Sequence, residues 1–223
     1  DLNVTGTVRL LEAFRRHQTD ARIVIVTSAE VYGRVPSGHL VRETDPLTPT
    51  TLYGITKQAA DEVALAFADQ LGLKVMTARP WNHIGPGQHP RFVAAAFAKQ
   101  FAAFQQGAPA VMSVGNLDSL RDFTDVRDIV RGYRLMLEHG RAGEAYNLSS
   151  GQLLPIRSLW QGFANLTGIE PELRIDPGLF RPTDASPLLC VDKIRTHCHW
   201  QPQIPLEQSL QDILADQNGA SRS

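Results

Sequence analysis

The sequence predicts an α/β fold in which helices cover both faces of a parallel sheet. Three observations point there. Helix-period and strand-type segments alternate along the chain. The strand-type segments are continuously apolar instead of alternating, as strands buried on both faces must be. Most helical segments carry one apolar stripe, and several stop at a glycine.

Each element has its own local reason. Val4, Val8, Leu11 and Phe14 fall at helical spacing and predict a helix over residues 3–17. "ARIVIVTSA" (21–29) is rich in β-branched residues and predicts a buried strand. Three prolines make residues 35–51 a loop. Ala60, Val63, Ala64, Phe67 and Leu71 share one face of a helix over 53–71, and Gly72 supplies its left-handed stop. "LKVMTARP" (73–80) is a second buried strand, and 82–90 is a loop kept irregular by Gly and Pro. Next come a helix over 91–106 ended by Gly107, a strand at 110–115 and a Thr/Asp-capped helix over 124–140. A short strand at 143–151 and a helix over 155–168 with Pro in its first turn follow. The tail alternates loops with a last helix near 205–217. The chain opens in helical pattern without a methionine, so these residues are expected to be part of a longer domain.

Composition narrows the partners. The net charge of −1, from 22 basic and 23 acidic residues, gives no global attraction to nucleic acid or anionic membrane. No apolar run is long enough to span a bilayer and no signal peptide is visible. Two cysteines make no disulfide framework, which suits the cytoplasm. His197, Cys198 and His199 are adjacent but lack zinc spacing, so no metal is expected.

In a parallel α/β sheet, chemistry gathers beyond the carboxyl ends of the strands. Ser28 stands there, after the first strand, and "YGITK" opens the helix that follows, with Tyr53 and Lys57 four positions apart on one face. A phenol with a reference pKa near 10 is a poor proton-transfer group at neutral pH, and a neighbouring ammonium would lower it. Together "TSAEVYG", "YGITK" and "NVTGT", with Asn3 and Gly6, resemble the extended branch of the short-chain dehydrogenase/reductase family, which acts on nucleotide-sugars.

That resemblance implies a Rossmann-like doubly wound sheet binding NADP or NAD, with a small C-terminal α/β substrate region. It implies that Tyr53 is the proton donor or acceptor, that Lys57 holds the cofactor ribose and tunes Tyr53, that Ser28 orients the substrate oxygen, and that Asn3 maintains a proton relay. Thr27, Tyr53, Lys57, Trp81 and His83 are the implied cofactor contacts. "RPWNHIGPGQ" (79–88) is similar to the RPFNHxGPGQ segment of GDP-4-keto-6-deoxy-D-mannose reductases, as are "GNLDSLRDFTDVRDIV" (115–130) and "RPTDASPL" (181–188). A GDP-sugar substrate then falls to Ser28, Ala29, Glu30, Asn82, Lys99, Arg121, Arg181 and Asp184, with the arginines suited to bidentate phosphate contacts. The implied reaction is NAD(P)H-dependent reduction of the C4 ketone to give GDP-D-rhamnose. A 4,6-dehydratase is the alternative: Glu30 occupies that reaction's base position, but Ala29 stands where dehydratases carry Ser or Asp. An epimerase is more distant. The G-x-x-G-x-x-G turn that holds pyrophosphate is missing from these residues, so a non-catalytic fragment or interaction module is a third reading. The resemblance covers the latter two-thirds of the family pattern, which leaves an open edge on the strand at 21–27. It divides the chain into a Rossmann-like part (1–90) and a substrate part (91–223), with 110–150 returning to the main sheet. A homodimer through the helix at 53–71 is also implied.

Overall fold

The apolar runs and amphipathic segments form the elements they predict, with short strands added between them. The computed structural model describes residues 2–18, 20–179 and 186–220. Its first half runs α1 (Thr5–Arg16), β1 (Ile23–Val26), a 3-10 turn (Ala29–Tyr32), β2 (Leu40–Val41), α2 (Leu52–Leu71), β3 (Val75–Pro80), β4 (His83–Ile84) and α3 (Val93–Gln105). There follow β5 (Val111–Val114), β6 (Leu120–Arg121), β7 (Thr124–Asp125), α4 (Val126–His139), β8 (Ala145–Leu148) and β9 (Leu154–Pro155). The chain continues with α5 (Arg157–Thr167), β10 (Glu172–Ile175), β11 (Leu188–Leu189), α6 (Asp192–Cys198) and α7 (Leu206–Ala220). The chain divides into two compact units.

The first unit comprises residues 1–81, 128–151 and 187–202. Its sheet has the order β1-β3-β8, all parallel. Central β3 is buried at every position, which explains its unbroken apolar character. Ile23, Ile25 and Val75 face α1 and α2, packing with Leu11, Ala64 and Leu73. Met76, Ala78, Tyr146 and Leu148 face the opposite side, packing with Ile129 and Met136 of α4 and with Ile194, Cys198 and Trp200. Helices therefore cover both faces. β1 lies at the outer edge of this sheet among the described residues, and Val26 at its end is 40% exposed.

Local chemistry sets the helix ends. Thr51 caps α2 by accepting from Gly54 N–H, and the helix begins at Leu52, one residue before the start expected from sequence. Gly72 ends it at φ 70° with its N–H on Ala68 O. Gly33 closes the 3-10 turn at φ 65°, and a Cβ there would stand 1.8 Å from Thr48 O. Gly33→Ala is therefore expected to cost about 2 kcal/mol or more in denaturant unfolding, from left-handed strain plus a backbone clash.

The second unit comprises residues 82–127, 152–186 and 203–223. Its core joins Ala94, Phe97, Ala98 and Phe101 of α3 with Leu159 and Phe163 of α5 and Leu210 and Ile213 of α7. β5 pairs in parallel with β10 here. The sequence-based division places the boundary at residue 90 and returns 110–150 to the main sheet; here the first segment of the first unit runs to Trp81, and residues 110–127 belong to the second unit. The return is made by 128–151, and residues 187–202 join it through β11, paired with β2, and through α6. The apolar run at 110–115 reads correctly as a strand, but its partner is chosen by a non-local pairing that the run does not encode. Asp125 caps α4 by accepting from Arg127 N–H at 2.8 Å, as expected for the Thr/Asp start.

Candidate active site

The carboxyl end of β1 delivers Ser28 to the N-terminal turn of α2. Ser28 Oγ accepts from Glu30 N–H at 3.2 Å, which caps the 3-10 turn and fixes the hydroxyl. Tyr53 is 49% exposed. Burial pushes its phenol above the usual value, the hydrogen bond from Ser28 pulls it down, and the nearby charge of Glu30 raises it again, for a net rise. This is opposite to the direction expected from sequence. Lys57 Nζ donates to Val26 O at 3.0 Å and lies 5.8 Å from the centroid of the Tyr53 ring. Burial, not a partner, sets its own shift, which is downward. The i,i+4 spacing thus makes the two residues neighbours, but the ammonium is drawn to the carbonyl at the end of β1.

Gly54 lets this corner close. A Cβ there would meet Glu30 O and Pro49 Cβ, each at 2.9 Å. The Glu30 carboxylate accepts from Thr51 Oγ1 at 2.9 Å. Asn3 Nδ2 donates to Thr56 Oγ1 at 3.0 Å, and Thr56 Oγ1 donates to Tyr53 O at 2.9 Å. Asn3 is thereby a strut from the start of the chain to the Tyr53 helix.

Two expected ligand contacts turn inward instead. Thr27 is buried, with its hydroxyl 3.0 Å from Asp61 Oδ1 and 2.9 Å from Ala78 O. The Ala29 methyl packs among Val31, Tyr32, Val41 and Leu189. Their side chains serve the interior: Thr27 is buried just past β1, and Ala29 is buried at the start of the 3-10 turn. Trp81 packs against the same cluster, and its backbone N–H donates to Leu148 O at 2.9 Å.

The interior beneath holds a polar network that the sequence reading missed. Arg79 binds Asp61 through Nε–Oδ1 (3.1 Å) and Nη2–Oδ2 (2.6 Å), and both side chains are almost wholly buried. Arg79 Nη1 also donates to Tyr32 Oη at 2.9 Å, and Tyr32 in turn donates to Asn147 Oδ1 at 2.7 Å. Asn147 Nδ2 reaches the carbonyls of Val41 and Cys190. The signal was present: an arginine ending an otherwise apolar strand must find a buried partner. Burial is the main cause that pushes the Tyr32 phenol up to about 12 from an ordinary 10.0. A raised folded-state value gives stability that is complete below pH 10 and lost as pH rises through 12. Urea unfolding across that window is expected to show a loss of roughly 2–3 kcal/mol from this group.

The remaining candidates lie on the second unit. Asn82 O accepts from Thr124 N–H, and His83 is in β4, paired with β7. The loop behind them is pinned by Gly85, where a Cβ would stand 2.5 Å from Val126 Cγ1, and by Gly87 N–H on Asp216 Oδ2 at 2.9 Å. Lys99 is exposed on α3. Arg121 Nη1 donates to Ser186 Oγ at 3.1 Å, so the 115–130 and 181–188 motifs do meet. Arg181 and Asp184 lie outside the described residues. No group of three or more His, Cys, Asp or Glu suited to a metal occurs among the described residues.

Ser28, Tyr53 and Lys57 at the carboxyl end of a parallel sheet define a short-chain dehydrogenase/reductase of the extended type. Within that class, the model of the family described as GDP-mannose 4,6 dehydratase matches residues 1–213, and the chain belongs to that family. It is 36% identical over 218 residues to GDP-6-deoxy-D-mannose reductase of Pseudomonas aeruginosa, covering 96% of this chain and 72% of that enzyme. To GDP-mannose 4,6-dehydratase of Yersinia enterocolitica it is 26% identical, covering 96% of this chain and 66% of that enzyme. Among solved structures it is similar to RMD from Pseudomonas aeruginosa complexed with NADPH, with a TM-score of 0.92 and 35% identity, covering 98% of this chain and 73% of the other. It is also similar to dTDP-glucose 4,6-dehydratase from Bacillus anthracis in complex with NAD, with a TM-score of 0.86 and 25% identity, covering 99% and 68%.

Proposed function

We propose that this chain carries the proton-transfer site of an NAD(P)H-dependent reductase that converts the C4 ketone of GDP-4-keto-6-deoxy-D-mannose to the alcohol of GDP-D-rhamnose. One observation carries the reading: Ser28, its hydroxyl oxygen held by Glu30 N–H, stands just past β1, and Tyr53, half-exposed, opens the next helix with Lys57 Nζ 5.8 Å from its ring centroid. The 36% identity to a GDP-6-deoxy-D-mannose reductase over nearly the whole chain supports the substrate.

The residues suit the cofactor. Lys57 spends one of its three donors on Val26 O and keeps two for ribose hydroxyls. The nicotinamide supplies the hydride when bound. Tyr53 gives its proton to the oxygen of the reduced ketone, so that one hydride and one proton complete the alcohol. Ser28, its oxygen fixed by Glu30 N–H, directs its own proton toward the same region and orients the substrate oxygen. Arg121 of the second unit is a guanidinium of the kind that pairs with phosphate oxygens.

The dehydratase remains the second reading, favoured by Glu30 beside Tyr53 and by the family match. Ala29 weighs against it, because a buried methyl transfers no proton. Incubation with GDP-mannose and no reductant separates the two: a keto sugar would establish the dehydratase, while the reductase leaves GDP-mannose unchanged. We further propose a cytoplasmic homodimer that covers the exposed Leu52 and Ile55 of α2. Sedimentation giving the mass of one chain would overturn the dimer.

A further inference from the structure

The start of α2 holds a contact that neither the fold nor the assigned catalytic roles require. Thr51 Oγ1 accepts from Gly54 N–H at 2.9 Å and lies 2.9 Å from Glu30 Oε2. A hydroxyl has one proton. Because the carboxylate can only accept, that proton must go to Glu30. A helix cap needs only the acceptor half of this arrangement. The donor half ties a carboxylate to the first turn of the helix that carries Tyr53.

Glu30 is held from two sides: its N–H donates to Ser28 Oγ, and its carboxylate accepts from Thr51, two residues before Tyr53. Gly54 lacks the Cβ that would strike Glu30 O, so the 3-10 turn rests directly on the helix. We propose that Thr51 is a positioning residue for proton transfer: it anchors the Glu30 carboxylate beside Tyr53 and so fixes the charge that the phenol experiences. The inference rests on the reductase reading for its kinetic consequences, but its electrostatic consequence does not. Glu30 already contributes to the upward shift of the Tyr53 phenol. A carboxylate released to solvent would contribute less, and the phenol would ionise at lower pH.

The test uses Thr51→Val, which keeps shape and removes the hydroxyl, and Thr51→Ser, which restores it. The first readout is the alkaline absorbance titration of Tyr53 in the free protein, taken as the difference between each protein and its Tyr53→Phe counterpart. Thr51→Val is expected to move that midpoint to lower pH, Thr51→Ser to return it, and Glu30→Gln to reproduce the shift. The second readout is ketone reduction: Thr51→Val is expected to bring the alkaline limb of the kcat profile to lower pH, with KM nearly unchanged. An unmoved titration in Thr51→Val, or a shift that Thr51→Ser does not rescue, overturns the proposal. If the titration moves but no protein reduces the ketone, the reductase reading fails and the positioning role stands.

Discussion

Tyr53→Phe is expected to lower kcat for ketone reduction by roughly 100- to 10,000-fold, the range spanned by a positioned proton donor. KM should change little, because the lost interaction belongs to the transition state. The thermal midpoint should also hold, since the side chain is 49% exposed. The raised phenol sets the pH dependence. Reduction requires the protonated form, so activity should persist through neutral pH and fall as pH rises through the Tyr53 value. Steady-state kinetics with thermal melts of both proteins check this. A variant that keeps more than about a tenth of wild-type kcat would remove Tyr53 from the proton-transfer role.

The second large effect lies beneath the site. Asp61→Ala should destabilise the protein by about 3–5 kcal/mol, because it leaves the Arg79 guanidinium buried without its carboxylate. That is a large share of the roughly 5–15 kcal/mol that holds a typical domain together. The same change leaves the Thr27 hydroxyl beside Ser28 only Ala78 O of its two acceptors and loosens the Tyr32–Asn147 link. Removing both charges, as in Asp61→Leu with Arg79→Met, should recover most of the loss, since two apolar groups leave no stranded charge. Urea unfolding of the three variants measures it. A loss below about 1 kcal/mol in Asp61→Ala would show that water reaches Arg79.

The sheet and the long helices were legible because their signals are local. β3 is buried on both faces, so its sequence is apolar throughout. The left-handed Gly72 marks where α2 stops. Ser28, Tyr53 and Lys57 were legible through their order along the chain. Elements that depend on distant partners were not. β4, β6, β7, β9 and β11 have two residues each, too few for any period. β10 is mostly exposed and carries no apolar alternation; its pairing with β5 defines it. α6 is short, and its His197-Cys198-His199 end reads as chemistry until Cys198 is seen packed with Trp200 beside β8. Within the site, identities were legible but directions were not. Spacing puts Lys57 next to Tyr53, yet only the three-dimensional position of Val26 O shows where the ammonium points. Thr27 and Ala29 sit either side of Ser28 in sequence, and both turn to the interior.

Nicotinamide cofactor carrying deuterium at its transferable position, incubated with GDP-4-keto-6-deoxy-D-mannose and the protein that carries this chain, tests the central claim most directly. The reductase reading predicts one deuterium at C4 of the sugar for each cofactor oxidised, and loss of that transfer in Tyr53→Phe. Unoxidised cofactor and unlabelled sugar would contradict it.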